Sequence, residues 1–283
     1  MRLHRLVRVP ASSANLGPGF DVMAAALSLH IDVEVEETGH FAVETDLQIA
    51  RDRRNLCVRG FAKLHSADDF TFRIRSEVPL TGGLGTSAAA YVAGLVAADS
   101  MFELDADVLA LASELEGHPD NAAAALHGGL VICADGAATR FDAPAGLEAI
   151  LLIPQRAVRT IQARAALPLE VPMGDAVYNV AHAALLSYGL ARGDFELIAR
   201  GLRDRLHQPR RASLFPRSAE VVGYAPELGA LGATISGAGP AVLVWTHSDS
   251  TGAVFERLEE RAEGWARVQR VAFEPQGADV RAL

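Results

Sequence analysis

Three short glycine-rich segments carry the residue types that could do chemistry. The middle one, Pro79-Leu-Thr-Gly-Gly-Leu-Gly-Thr-Ser-Ala-Ala-Ala90, leads into a long alanine-rich run. Glycine lets the backbone approach a ligand closely. A glycine loop feeding a helix also offers unpaired N–H groups and the positive end of the helix dipole to phosphate. Thr86 and Ser87 add hydroxyls that can reach phosphate or a metal ion. A tight turn with a Ser/Thr cap explains the same residues without any ligand. The nucleotide loop G-x-x-x-x-G-K-[ST] is excluded, because Lys63 is the only lysine. The first segment, Val9-Pro-Ala-Ser-Ser-Ala-Asn-Leu-Gly-Pro-Gly-Phe-Asp21, mixes turn formers with Asn15 and Asp21, and alone reads as a surface loop. The third, Ile235-Ser-Gly-Ala-Gly-Pro-Ala241, reads as a tight turn between strands, or as a loop packed against a ligand or another glycine loop.

Regular elements must hold these segments. Leu29, Ile31, Val33 and Val35 alternate with His30, Asp32, Glu34 and Glu36, which predicts a half-buried strand, and Phe70 to Arg75 alternates similarly. Ser87 to Met101 predicts a helix with Gly94 as its only breaker and Thr86 or Ser87 as its cap. Val108, Leu111, Ala112 and Leu115 predict a helix over Asp107–Glu116 that Pro119 stops. Strands are expected at Gly128–Ala134 and Ala149–Ile153. The Pro/Gly turn at Ala143–Gly146 suggests a junction between domains spanning 1–145 and 146–283. Beyond it the pattern predicts helices at Gly174–Ala191 and Phe195–Arg205, then strand, turn and strand from Thr234 to Trp245. A helix at Thr251–Glu263 and a strand at Ala266–Phe273 close the chain. Strands and helices mix without strict βαβ alternation, so the expected class is α+β.

Of 283 residues, half are hydrophobic, enough for a substantial core. The net charge of −9 argues against a general nucleic-acid binder, while leaving room for a local basic pocket. Cys57 and Cys133 form no C-x-x-C pair, which points to a reducing compartment and no structural zinc. The N-terminus lacks a signal-peptide pattern, and no run approaches ~18 consecutive apolar residues. The expectation is a cytoplasmic protein without a nucleic-acid or membrane partner.

In this order and spacing, the three glycine segments together resemble the GHMP kinases, and Gly83-Leu-Gly-Thr-Ser-Ala88 resembles their phosphate loop, usually Gly-Leu-Gly-Ser-Ser-Ala. Gly82 stands where the family often has Arg, Ala or Ser. The first segment is similar to the homoserine kinase form over its full length. The resemblance continues through Glu114-Leu-Glu-Gly-His-Pro-Asp-Asn121, Ala163-Arg-Ala-Ala-Leu-Pro168 and His207-Gln-Pro-Arg-Arg211.

The resemblance implies a ribosomal-S5-like N-terminal domain and a ferredoxin-like C-terminal domain, with ATP and L-homoserine in the cleft between them. It implies that Arg164 and Arg211 hold the substrate carboxylate and Asp21 its ammonium. Asn15, His118 and Asn121 fix its orientation, and Arg164 and Asn121 are the expected catalytic residues. Residues Pro79, Leu80, Thr81, Gly82, Gly83, Leu84, Gly85, Thr86 and Ser87 would bind ATP, with adenine against Asn55-Leu-Cys-Val58. Ser87 and Glu114 would hold Mg²⁺, Glu116 being the competing assignment. Asp120 is the candidate base in some relatives and is expected here to be structural. A homodimer is common in this branch. Kinases of other hydroxy acids and a non-catalytic ligand sensor are the rival readings; the retained Arg164, Arg211 and Asp21 oppose the first, and Thr86, Ser87 and Glu114 the second.

Overall fold

Alternation from Leu29 to Glu36 marks only the outer half of a longer strand. Its inner half, Met23 to Leu27, is buried on both faces, so no period-2 signal survives there. The computed structural model describes residues 3–80, 82–156 and 160–283. In the N-terminal half the elements are β1 (His4–Ala14), β2 (Met23–Glu37), β3 (Ala42–Glu44), α1 (Leu56–Ala62), β4 (Phe70–Ser76), α2 (Thr86–Phe102), α3 (Val108–Glu116), α4 (Asp120–His127), β5 (Leu130–Ala134) and β6 (Ala137–Phe141). The remainder comprises β7 (Leu147–Pro154), α5 (Thr160–Ala165), α6 (Met173–Arg192), α7 (Phe195–Gly201), α8 (Gln208–Arg211), α9 (Pro216–Tyr224), β8 (Gly232–Ile235), β9 (Val242–His247), α10 (Ser248–Ala262), β10 (Ala266–Val271) and β11 (Asp279–Ala282).

Two sheets result. The larger runs β11-β1-β2-β4-β3, with β5 pairing β2 and β6; the smaller is antiparallel in the order β10-β7-β9-β8. Helix α2 (17 residues) is apolar around most of its surface, with Ala88 to Leu95 continuously buried, as a helix enclosed by sheet and neighbouring helices must be. Strand β7 alternates between two cores. Ala149, Leu151 and Ile153 join Trp245 and the large-sheet core, while Ile150 and Leu152 pack with Val254 and Leu258 of α10. No helix among the described residues is long and apolar enough to cross a membrane.

The α+β class and most expected elements are present, with differences that have physical causes. Val9 to Ala14 belongs to β1 and is fully paired to β2, so it is no surface loop. Helix α3 ends at Gly117, in the left-handed conformation at φ +86°, and Pro119 instead caps α4. Helix α7 stops at Gly201 rather than continuing to Arg205. The 145/146 division is crossed twice: β11 returns to pair with β1, and one apolar core runs through both sheets.

Candidate active site

The three glycine segments are bound to one another. The amide of Ser12 donates to Leu84 O at 3.1 Å, and the amide of Ala241 donates to Gly82 O at 3.0 Å. Ser236 Oγ donates to Gly83 O at 2.7 Å, and Asn15 Nδ2 donates to Gly237 O at 2.8 Å. The third segment thus packs on another glycine loop, one of its two expected uses. Gly85 is the N-cap of α2 at φ +64°, and a Cβ there would collide with Ser12 Oγ. Neither expected Ser/Thr cap forms. Thr86 donates its hydroxyl to Pro79 O at 2.9 Å, and no side chain caps the helix. The first amides of α2, which no helical carbonyl can reach, are therefore left for a ligand.

Two cavities flank this helix start. The first holds about 300 Å³ and is lined by the phosphate-loop residues Leu80 and Gly82 to Ser87, together with Asn15, Asp21, His118, Asn121, Arg164 and Arg211. The second holds about 390 Å³, shares Leu80, Thr86 and Ser87, and is walled by Leu47, Ile49, Leu56 and Ile74. Asn55 lines the second cavity, but its carboxamide is engaged locally: Oδ1 accepts from Cys57 N at 2.9 Å and Nδ2 donates to Ala50 O at 2.8 Å. It shapes the wall rather than presenting a free polar group. Pro79 lines neither cavity, and Thr81 lies outside the described residues.

Glu114 is the main correction. It points away from the cavity and pairs with Lys63 at 2.8 Å with its side chain 65% exposed. Two residues on along α3, roughly 200° around the helix, half-buried Glu116 lines the cavity beside Ser87. Burial pushes the Glu116 carboxyl up, and the nearby Ser87 hydroxyl opposes this. The helical wheel applied to α3 was the signal that separates the two glutamates: Glu114 lies opposite Ala112, the buried residue of that helix. A carboxylate and a hydroxyl beside unpaired helix amides are the hard oxygen donors that fit Mg²⁺ next to phosphate.

Charged groups line the other end. Arg164 makes a two-pronged pair with Asp21, at 2.9 and 3.1 Å. Arg211 is 1% exposed and forms no ion pair among the described residues. Its Nε donates to Ala163 O at 2.9 Å and its Nη1 to Gly237 O at 3.3 Å, while none of the described hydrogen bonds engages Nη2. Burial and nearby Arg164 both depress its pKa, against Asp21 and Asp204. A buried cation without a carboxylate is costly unless an anion completes it. Asn15 and Asp21 both hold positive φ, 71° and 56°, and Asn15 Oδ1 accepts from the Asp21 amide at 3.0 Å. Asn15 therefore aims Asp21, with both ends of its own amide occupied.

Asp120 is 1% exposed, and its Oδ1 takes both His118 Nδ1 at 2.6 Å and the Asn121 amide at 2.7 Å. That hydrogen bond raises the His118 pKa. Ser12 Oγ donates to Asn121 Oδ1 at 2.8 Å, which fixes the amide so that Nδ2 is its remaining donor.

Fully buried His207 was not singled out by residue type, yet it orders the arginine. Its Nε2 donates to Gly17 O at 2.8 Å, so Nδ1 can accept from Arg211 Nη1 at 3.3 Å. Burial lowers its pKa, with Arg211 adding to the effect and Asp204 opposing it. Because the folded pKa lies below the ordinary 6.5, the unfolded chain takes the proton first as pH falls. This contribution to stability is complete above about pH 6.5 and is lost below it. His118 acts in the opposite sense. The melting temperature of His207→Gln should therefore fall less steeply between neutral and mildly acid pH than that of the parent; an equal slope would remove His207 from the pH response.

The GHMP kinase N-terminal domain model matches residues 54–129, and the GHMP kinase C-terminal model matches residues 186–264. The chain is 43% identical to a homoserine kinase of Gloeobacter violaceus over 277 residues, covering 89% of this chain and 91% of the relative. It is 40% identical to one of Deinococcus radiodurans, covering 84% and 82%. Among solved structures, homoserine kinase from Cytophaga hutchinsonii superposes with TM-score 0.88 at 27% identity, over 98% of this chain and 97% of the other. Similarity in sequence over most of the chain, and in fold over nearly all of it, agrees with the linked glycine segments: the chain belongs to the homoserine kinase branch of the GHMP kinase family.

Proposed function

We propose that the chain transfers the γ-phosphate of ATP to the hydroxyl of L-homoserine, giving ADP and O-phospho-L-homoserine on the way to threonine. The observation that carries this reading is the convergence, in one cavity, of uncapped helix amides for phosphate with a buried, carboxylate-free Arg211. Adenine occupies the apolar second cavity, and the triphosphate runs past Thr86 and Ser87 into the first. Arg164, through its planar fork, and Arg211, through its open Nη2, grip the substrate carboxylate. Asp21 exchanges its Arg164 partner for the substrate ammonium. His118 and Asn121 orient the substrate, and Asn121 Nδ2 donates to the substrate hydroxyl oxygen. As that oxygen bonds to the γ-phosphorus, the bond to the β,γ-bridging oxygen breaks, and the hydroxyl proton passes to a γ-phosphate oxygen.

Phosphoryl transfer depends more on position and charge neutralisation than on covalent help. Glu116 and Ser87 are the residues that would hold Mg²⁺, which neutralises charge on the β- and γ-phosphates. The working unit is a homodimer in the cytoplasm. Asp120 serves as a structural acceptor, since one oxygen is already shared between His118 and the Asn121 amide. Asp120→Asn should accordingly lower the melting temperature and change kcat by about tenfold or less. A folded variant whose turnover falls by orders of magnitude would make Asp120 the base.

A further inference from the structure

Helix α6 carries no Asp, Glu, Lys or Arg between Asp175 and Arg192. Its buried face, Asn179, Leu186, Gly189 and Leu190, is covered within the fold. The opposite face is apolar and open: Met173 is 78% exposed, Val177 61%, Val180 71% and Tyr188 60%, with Ala181 and Ala184 exposed between them. At 3.6 residues per turn these six fall within an arc of roughly 100° along about 22 Å of helix. A surface helix ordinarily turns charged residues to water, so a contiguous apolar stripe of this kind marks an interaction surface. Leu169 and Val171, also exposed, extend it at its N-terminal end.

The stripe is complementary to itself. Reversed about a point between Val180 and Ala181, Met173 falls opposite Tyr188, Val177 opposite Ala184, and Val180 opposite Ala181. In the two central pairs a valine meets an alanine, which lets two helices approach closely. Charge follows the same register: exposed Glu170, just before α6, comes within one residue of exposed Arg192 at its far end, and neither has an ion-pair partner among the described residues. The large side chains of the stripe and its extension expose roughly 700 Å² per copy, against about 800 Å² per partner in a standard interface. We propose that a second copy of this chain docks antiparallel along α6, about a two-fold axis between Val180 and Ala181. The proposal rests on the homodimer reading and gives it a surface and a register.

Sedimentation velocity at micromolar concentration tests it, with far-UV circular dichroism and melting to confirm folding. The parent should be a dimer. Val180→Glu, which sets two like charges against each other at the axis, should be a folded monomer. Glu170→Arg and Arg192→Glu should each weaken the dimer roughly tenfold, and the two together should restore it. A parent that is monomeric overturns both the surface and the homodimer. A dimer that survives Val180→Glu overturns this surface and leaves the homodimer standing on another, and a double reversal no tighter than the single ones overturns the register.

Discussion

Glu116→Gln should reduce kcat/KM for homoserine by about 10²–10³-fold, the cost of removing one well-placed group that stabilises developing charge, while Glu114→Gln should leave it within about twofold. The two residues differ by one position of alternation in the same short helix, yet only Glu116 faces the phosphate loop and Ser87. Glu114 holds an exposed pair with Lys63, worth at most about 1 kcal/mol in water. Stability should move the other way. Burial raises the Glu116 pKa, so its ionised form is disfavoured in the folded state at neutral pH. The neutral glutamine removes that penalty, and the variant should melt at or slightly above the parent temperature. Steady-state kinetics over a Mg²⁺ series, paired with melting curves, checks both signs. Equal losses for the two variants, or a larger loss at Glu114, would return the metal to the outer face of α3.

Arg211→Met should raise KM for homoserine by about 10–10²-fold and leave KM for ATP near its parent value. A charge-assisted contact to a buried carboxylate contributes about 1.5–3 kcal/mol, and Nη2 is the donor Arg211 has open for it. Arg211→Lys should recover little of it, since an ammonium lacks the planar fork. Folding should tolerate the methionine: no carboxylate is left unpaired, because the guanidinium's described partners are backbone carbonyls and a neutral histidine. Unchanged homoserine affinity in a folded Arg211→Met protein would remove the carboxylate from this arginine.

Much of this site was legible before any coordinates, because its chemistry is carried by residues whose spacing is local. A glycine run ahead of an uninterrupted apolar stretch specifies a loop and a buried helix, and Asn15, Asp21, His118, Asn121, Arg164 and Arg211 do meet in one cavity. What escaped depends on contacts between distant segments. The role of Ser12 needs Asn121, 109 residues away, and that of His207 needs Gly17, 190 residues away. Strand β1 hid inside a motif that looks like a turn, since its last residues, Ala11 to Ala14, are small and buried on both sides. Strand β11 is short and partly exposed, and pairing with β1 across the full length of the chain is its only reason to be regular. Glu114 and Glu116 are hard to tell apart for a simpler cause: both sit in one motif, and only their opposite directions around α3 distinguish them.

The central claim is best tested by ADP release from Mg-ATP by the purified protein, comparing L-homoserine with L-serine, L-threonine, shikimate and mevalonate, with phosphorus NMR to identify the product. Fast turnover selective for L-homoserine, with the phosphate on its side-chain oxygen, is the predicted result. Turnover of another alcohol in preference to homoserine, or ATP binding without transfer to any of them, would contradict it.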